Sequence, residues 1–260
     1  MEPKEVVNGV AQSVNDNRVA EGFSAAAKNY HQHDRLQKMS AACLFEAMQP
    51  TGTLLDIGAG PGTDFSQFEH INQVISLDLA LGMVEQVKLS FPQYQAICAN
   101  AEKLPLADNS IDSAYSNLAL QWCSDLSASF TDTARVMKPN GEYHLSIVAK
   151  DSLAELDTLG FRVNGFRSKD EILTHVDTAK WHIKAARVQE ITVYFPNLKA
   201  LLYSIKGVGA SINANQVSTD KIRGRGDWQK IMARAEKLRC EQGIPLTYQV
   251  AQLCLMRISD

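Results

Sequence analysis

The sequence predicts an α/β protein: a doubly wound, seven-stranded mixed sheet with a helical cap inserted before its last strand. Three observations carry this. Short apolar runs alternate with stretches of helical period through the first 150 or so of 260 residues. A glycine-rich loop follows the first of those runs. Two further apolar runs near the C-terminus are separated by a stretch too long for a bare loop.

Along the chain, the first 15 or so residues carry no core signal. Leu36, Met39, Ser40, Cys43, Leu44 and Ala47 then recur at helical spacing until "QPTG" ends the helix. Strand-like runs follow at 53–58, 73–78, 95–100 and 111–116, with helix-like stretches at 63–69, 81–90 and 126–138. "KPNG" at 138–141 is a turn signal, and "EYHLSIVAK" follows as a fifth strand. Strands alternating with helices of about three turns imply parallel strands covered on both faces. The runs at 188–195 and 250–258 supply two more strands. Between them Leu198, Leu201, Leu202 and Ile205 mark one amphipathic helix, and Trp228, Ile231, Met232 and Ala235 a second. The expected organisation is one domain over 1–260, with an N-terminal helical segment at 1–49 and a helical cap insertion at 196–247.

The composition is that of an ordinary globular chain, 45% hydrophobic and 21% charged. A net charge of −3 gives no support for general nucleic-acid binding. No apolar run approaches the roughly 18 residues of a membrane span, and the N-terminus lacks an apolar signal core. The five cysteines are odd in number and form no C-x-x-C pair, which points to free thiols and a cytoplasmic protein.

"LLDIGAGPGTDF" is the strongest local signal. Gly58, Gly60 and Gly62 lie between a strand and a helix-like stretch, where glycines permit a sharp turn and close approach of a ligand. A tight turn that binds nothing is the competing reading. A dinucleotide fingerprint requires glycine where this chain has Thr63, and the Gly-Lys-Ser/Thr of a phosphate loop is absent. Asp56 would repel a pyrophosphate and suit a ligand bearing an ammonium. Asp78 ends the second strand, 18 residues after Gly60, where a carboxylate can accept hydrogen bonds from ribose hydroxyls. An Asp that caps the next helix is the competing reading there.

"LLDIGAGPG", "LDLALGMVEQ", "LPLADNSID" and "VMKPNG" resemble, in order, the successive motifs of class I S-adenosylmethionine-dependent methyltransferases over roughly residues 50–150. The resemblance implies a Rossmann-like sheet with a reversed last hairpin, and S-adenosylmethionine as cofactor. Carried over, it sets Gly58, Ala59 and Gly60 behind the methionine part, Asp78 on the ribose and Leu79 against the adenine. Asn100 and Ala101 lie in the segment that contacts the adenine amino group. Asn100 stands where Asp is usual, and its amide oxygen can still accept that bond. Asn117 falls beside the methionine moiety.

A narrower resemblance spans nearly the whole chain. "FSAAAKNYHQHDRLQ", "SNLALQWCSDLS", "LKALLYSIKGVGA" and "PLTYQV" are similar to segments of the malonyl-[acyl-carrier protein] O-methyltransferases of biotin synthesis. It implies methyl transfer to a malonyl carboxylate, with malonyl-phosphopantetheine on acyl carrier protein as the partner. Another small carboxylic acid or a quinone precursor is the alternative acceptor, and a cofactor-binding module without catalysis is a third reading.

A malonyl carboxylate is ionised at neutral pH, its pKa lying near about 4, so no general base is required. The protein must align oxygen and methyl and exclude water. Gln121 and Trp122 follow Asn117 towards the acceptor, although a core role for Trp122 competes. Arg167, Arg162 and Lys206 could pair with the carboxylate; Tyr30 and Tyr248 could donate hydrogen bonds to it. Between Pro196 and Cys240 nine Lys/Arg face three Asp/Glu, in a chain whose total is −3. That basic cap suits an acidic partner, with a solvated helical face as the plain alternative. His31 and His33 lack further ligands at metal spacing, so no metal site is expected. Cys123 has no base beside it in the sequence.

Overall fold

The computed structural model describes residues 17–161, 163, 165–207 and 225–259. Seven strands form one sheet: β1 (Gly52–Ile57), β2 (Ile71–Asp78), β3 (Gln95–Cys98), β4 (Ile111–Asn117), β5 (Met137–Val148), β6 (Trp181–Phe195) and β7 (Ile244–Arg257). Their spatial order is β3-β2-β1-β4-β5-β7-β6. β1 to β5 run parallel, and β7 is antiparallel to both of its neighbours, β5 and β6. The mixed sheet with a reversed final hairpin is therefore present as expected.

The helices are α1 (described over 17–26), α2 (Arg35–Phe45), α3 (Leu81–Ser90), α4 (Leu126–Val136), α5 (Ala154–Thr158), α6 (Lys169–Leu173), α7 (Leu198–Gly207) and α8 (Arg225–Lys237). A 3-10 turn, Ala27–Gln32, joins α1 to the start of α2. Local chemistry explains several boundaries. Asp125 caps α4, accepting from the Ala128 amide at 2.9 Å. Ser168 and Glu171 form a reciprocal capping box at α6. In β1, Leu54, Leu55, Asp56 and Ile57 are all buried, as a central parallel strand covered on both faces requires.

One core cluster packs α4 on the sheet through Phe130, Tyr143 and Trp181, whose indole N–H donates to the Phe130 carbonyl at 3.2 Å. A second gathers α7, α8 and the upper ends of β6 and β7 around Leu201, Ile205, Ile231, Ala235 and Leu246. Both helices thus occupy the β6–β7 connection on the apolar positions read from sequence, except Met232, which is 44% exposed. Among the described residues no helix is long and apolar enough to cross a membrane.

Three local readings are corrected. Residues 63–69 form turns, not a helix. Gly62 has φ +104°, and Asp64 accepts from the Ser66 amide at 2.9 Å, a local bond that competes with helical pairing. The apolar spacing there comes from Phe65 and Phe68, which both pack on Phe45. "KPNG" lies inside β5 as an irregularity in the β4–β5 register, with Asn140 at φ +67°. β6 starts at Trp181 rather than 188, because an edge strand with one exposed face carries "HIKAAR" without apolar alternation.

Candidate functional site

β1, β2 and β4 are parallel and end on the same side of the sheet, at the switch point between β1 and β4, where the strand order turns from β1-β2-β3 on one side to β4-β5 on the other. Ligands of doubly wound sheets bind in the crevice at such a point. The loop after β1 turns there with Gly58 at φ +72° and Gly60 at φ +56°. A Cβ on Gly58 would lie 2.2 Å from the Ala119 Cβ, so the loop can approach β4 only as glycine.

Asp78 closes this loop onto β2. Its Oδ2 accepts from the Gly60 amide at 2.8 Å and its Oδ1 from the Ala80 amide at 2.8 Å. Burial raises the Asp78 pKa, and the amides of Ala80, Gly60 and Leu79 oppose that rise. The Ala80 bond is a local turn bond two residues on, and α3 itself, with Ala80 at its N-cap position, has no side-chain cap, so the helix-cap reading of Asp78 does not hold. Each carboxylate oxygen keeps further acceptor capacity towards the cavity it lines. That cavity, about 780 Å³ of empty space including its open mouth, is also walled by Leu79, Asn100, Ala101 and Asn117. The Asn100 side-chain oxygen accepts from the Glu102 amide at 2.8 Å, which orients it at the cavity wall.

Asp56 is 1% exposed, and neither of its carboxylate oxygens has a full hydrogen bond. Burial pushes its pKa up to about 8; the Thr63 hydroxyl works against this and the Asp78 charge adds to it. It lines the open cleft beyond the glycine loop with Ala59, Gly60, Thr63, Tyr30 and Asn117. A buried, unpartnered carboxylate at a cleft calls for a cationic ligand group.

Asn117 is held on both sides. Its Nδ2 donates to the Gln37 carbonyl at 2.9 Å, and its Oδ1 accepts from Ser146 Oγ at 2.8 Å. Ser40 donates to the same Ser146 hydroxyl at 3.0 Å. Asn117 is thus a strut joining α2, β4 and β5 at the cavity edge.

A second cavity, about 830 Å³ including its mouth, adjoins the first. Tyr30, Leu118 and Trp122 line both. Trp122 is half-buried and meets Phe23 of α1 edge-on, with ring centroids 5.6 Å apart. It is a dividing wall, not core filler. Gln121 donates to the Leu118 carbonyl at 2.5 Å, which leaves its Oε1 buried without a partner. Tyr248 lines this second cavity, and burial beside the Glu155 charge raises its pKa. Burial raises the Tyr30 pKa too, with the charges of Asp78 and Asp34 adding to it. Both phenols therefore remain hydrogen-bond donors at ordinary pH.

Of the other acceptor-side calls, Arg167 lies in a small neighbouring recess and not in the second cavity itself. That recess shares Gln121, Val148 and Phe166 with the cavity. The Lys206 side chain and Arg162 lie outside the described residues, as do Lys221 and Arg223 and the Arg225 side chain. Sequence reasoning missed Phe23, His33, Arg35 and Ser204, all of which line the cavity. Arg35 follows the helix cap Asp34 and donates to the Tyr194 carbonyl at 3.0 Å. Its position across from β6 has no local signal in the sequence.

These features fit S-adenosylmethionine. The orphan Asp56 suits the ammonium, Asp78 the ribose hydroxyls, and the Leu79/Ala101 walls a flat base. The sheet order and the site define a class I S-adenosylmethionine-dependent methyltransferase. A family model described as "Methyltransferase domain" matches residues 55–145. The fold resembles the protein titled "putative methyltransferase" in its complex with the Haloferax volcanii Trm112 methyltransferase activator. Their TM-score is 0.60 at 15% identity, covering 93% of this chain and 98% of that one. The malonyl-[acyl-carrier protein] O-methyltransferase of Gallionella capsiferriformans is 31% identical over 252 residues, 90% of this chain and 85% of that protein. The biotin biosynthesis bifunctional protein BioHC of Cellvibrio japonicus is 30% identical over 98% of this chain, which spans 54% of that longer protein. The chain belongs to the malonyl-[acyl-carrier protein] O-methyltransferase family.

Proposed function

We propose that this protein transfers the methyl group of S-adenosylmethionine to the free carboxylate of malonyl-[acyl-carrier protein], giving the methyl ester that enters biotin synthesis in the cytoplasm. The single observation that supports this best is the pair of adjoining cavities separated by Trp122 and Tyr30, beside the glycine loop. One suits the cofactor. The other is largely apolar with a few hydroxyl and amide groups, as a short acyl chain requires.

The cofactor supplies an activated methyl group on a sulfonium. Asp56, Asp78, Leu79, Asn100 and Ala101 bind and orient it, with Gly58, Ala59 and Gly60 giving backbone clearance. Asn117 braces the edge between the cavities. The acceptor is already an anion, so no residue removes a proton. Tyr30 and Tyr248 donate hydrogen bonds that hold the carboxylate as water leaves. Gln121 Oε1 accepts from the donor groups of the acyl-pantetheine arm. Phe23 and Trp122 exclude water, which otherwise stabilises the anion and slows attack.

The chain acts as one domain. Its first 49 residues contribute Phe23, Tyr30 and Leu36 to the acceptor chamber, and the β6–β7 connection, which ends at residue 243 rather than the expected 247, contributes Ser204 and Ile205. On α8, Lys230, Arg234 and Lys237 are exposed at positions i, i+4 and i+7, about a third of a turn round from the buried Ile231 and Ala235, and Lys230 also pairs with Asp227 at 3.3 Å. This basic face receives an acidic carrier protein at the chamber side. Labelled methyl transfer with malonyl-carrier protein, malonyl-CoA and free malonate side by side tests the reading. Preference for the free acid, or for a quinone precursor, overturns it.

A further inference from the structure

A cluster of side chains outside the cofactor and acceptor cavities has the make-up of a metal centre. Glu142 and His144 are two residues apart on β5 and so project from the same face. Cys254 lies directly across from His144 on antiparallel β7. His144 is 5% exposed; Glu142 and Cys254 are half-buried. Among the described residues, this is the group of three or more metal-ligating side chains whose donor atoms all lie within 4.8 Å of one another.

The distances suit an ion. His144 Nε2 lies 3.0 Å from Glu142 Oε2 and 3.6 Å from Cys254 Sγ, and Cys254 Sγ lies 3.9 Å from Glu142 Oε2. A triangle with those edges has a circumscribed radius of about 2 Å. A point just off its plane is therefore roughly 2.0–2.3 Å from nitrogen, oxygen and sulfur, the range of zinc–ligand bonds. The other Glu142 oxygen is paired with Lys184, which is the register irregularity of β6 between Ile183 and Ala185. That pairing holds the carboxylate and directs Oε2 at the histidine, as outer partners of metal ligands do.

We propose that Glu142, His144 and Cys254 form a three-ligand site for a divalent ion of the zinc type, completed by one water on the half-exposed side. Thiolate, imidazole and carboxylate donors together favour zinc over magnesium or calcium, which take oxygen ligands. Binding releases the Cys254 thiol proton to solvent, and no oxidant or reductant takes part. The ion would pin β5 to the reversed strand β7. It lies on the strand face that carries Ser146 two residues further on, the residue that braces Asn117. The site is a structural clip, not part of methyl transfer.

The test uses the full chain, stripped of metal and titrated with cobalt(II). One equivalent should produce thiolate-to-cobalt charge transfer in the near ultraviolet and tetrahedral visible bands, which zinc abolishes. C254S should lose the charge transfer, and C240S should keep it. E142Q should keep it at affinity lowered about tenfold or more, the scale of a weakened ligand set. S-adenosylmethionine binding by each variant reports that it is folded. Zinc should raise the melting temperature of the wild type and not that of C254S. Absence of charge transfer in the wild type, or its survival in C254S, overturns the proposal. Because none of these readouts is turnover, the proposal can fail while the methyltransferase reading stands, and the reverse.

Discussion

Replacing Asp78 with alanine should cost this protein its cofactor. In the structure the carboxylate holds the glycine loop through Gly60 and the start of α3 through Ala80, both at 2.8 Å. In the proposed complex it also accepts from two ribose hydroxyls. Hydrogen bonds to a charged group contribute about 1.5–3 kcal/mol each. Losing the two ribose bonds at the lower figure costs about 3 kcal/mol, which is roughly a hundredfold in Kd. Loosening of the Gly60 amide adds to that loss. Isothermal titration with S-adenosylmethionine and S-adenosylhomocysteine should show both affinities falling together, since the ribose is common to both. The fold should persist, because Asp78 sits at a strand end and not in the apolar clusters. A change under about threefold, with the protein folded, would refute the assignment of Asp78 to the ribose and leave it as a brace between the glycine loop and the turn before α3.

Gly58→Ala should abolish cofactor binding and lower thermal stability, since the new Cβ meets Ala119 and φ +72° is strained for any L side chain; titration and a thermal melt check both. Asp56 has a folded pKa of about 8 against an unfolded value near 3.8. The folded state therefore holds the extra proton, and the cofactor-free protein should lose stability as pH rises from about 4 to about 8, then level off. Melting curves of the wild type and Asp56→Asn across that window should converge at the acid end and diverge towards pH 8. Tyr248→Phe removes one donor from the acceptor cavity alone. It should lower kcat/KM for the malonyl substrate about tenfold, the worth of one hydrogen bond to a charged group, and leave cofactor Kd unchanged. At saturating cofactor the wild-type rate should show no fall on the acid side near pH 7, the fall that a required general base would give. Charge reversal at Lys230, Arg234 and Lys237 should raise KM for the carrier-bound substrate and spare malonyl-CoA, the effect shrinking as salt is added.

The residues that gather at the first cavity were legible in the sequence, for a physical reason. The glycine turn, the strand-end Asp78 and the segment at Asn100 are each local, and their spacing along the chain is set by strand and helix lengths. The acceptor half was harder. Gln121 and Trp122 were legible because they follow β4 directly. Phe23 and Arg35 were not, since α1 and the start of α2 reach the chamber by folding across the sheet. Arg167 was drawn towards the substrate by its charge alone, and the fold puts it in the next recess. At 63–69, two phenylalanines with helical spacing belong to turns that the Asp64 side chain stabilises. The Glu142–His144–Cys254 cluster had no sequence signal at all, because strand pairing joins residues more than 100 positions apart.

The central claim is that the chain methylates a malonyl carboxylate carried by acyl carrier protein. The most direct measurement is transfer of label from methyl-labelled S-adenosylmethionine to purified malonyl-carrier protein, followed by mild base. The account predicts one label per carrier, released by base as methanol, at a higher kcat/KM than for malonyl-CoA. Labelling that resists base, or a carrier left unlabelled while free small acids are methylated, would contradict it.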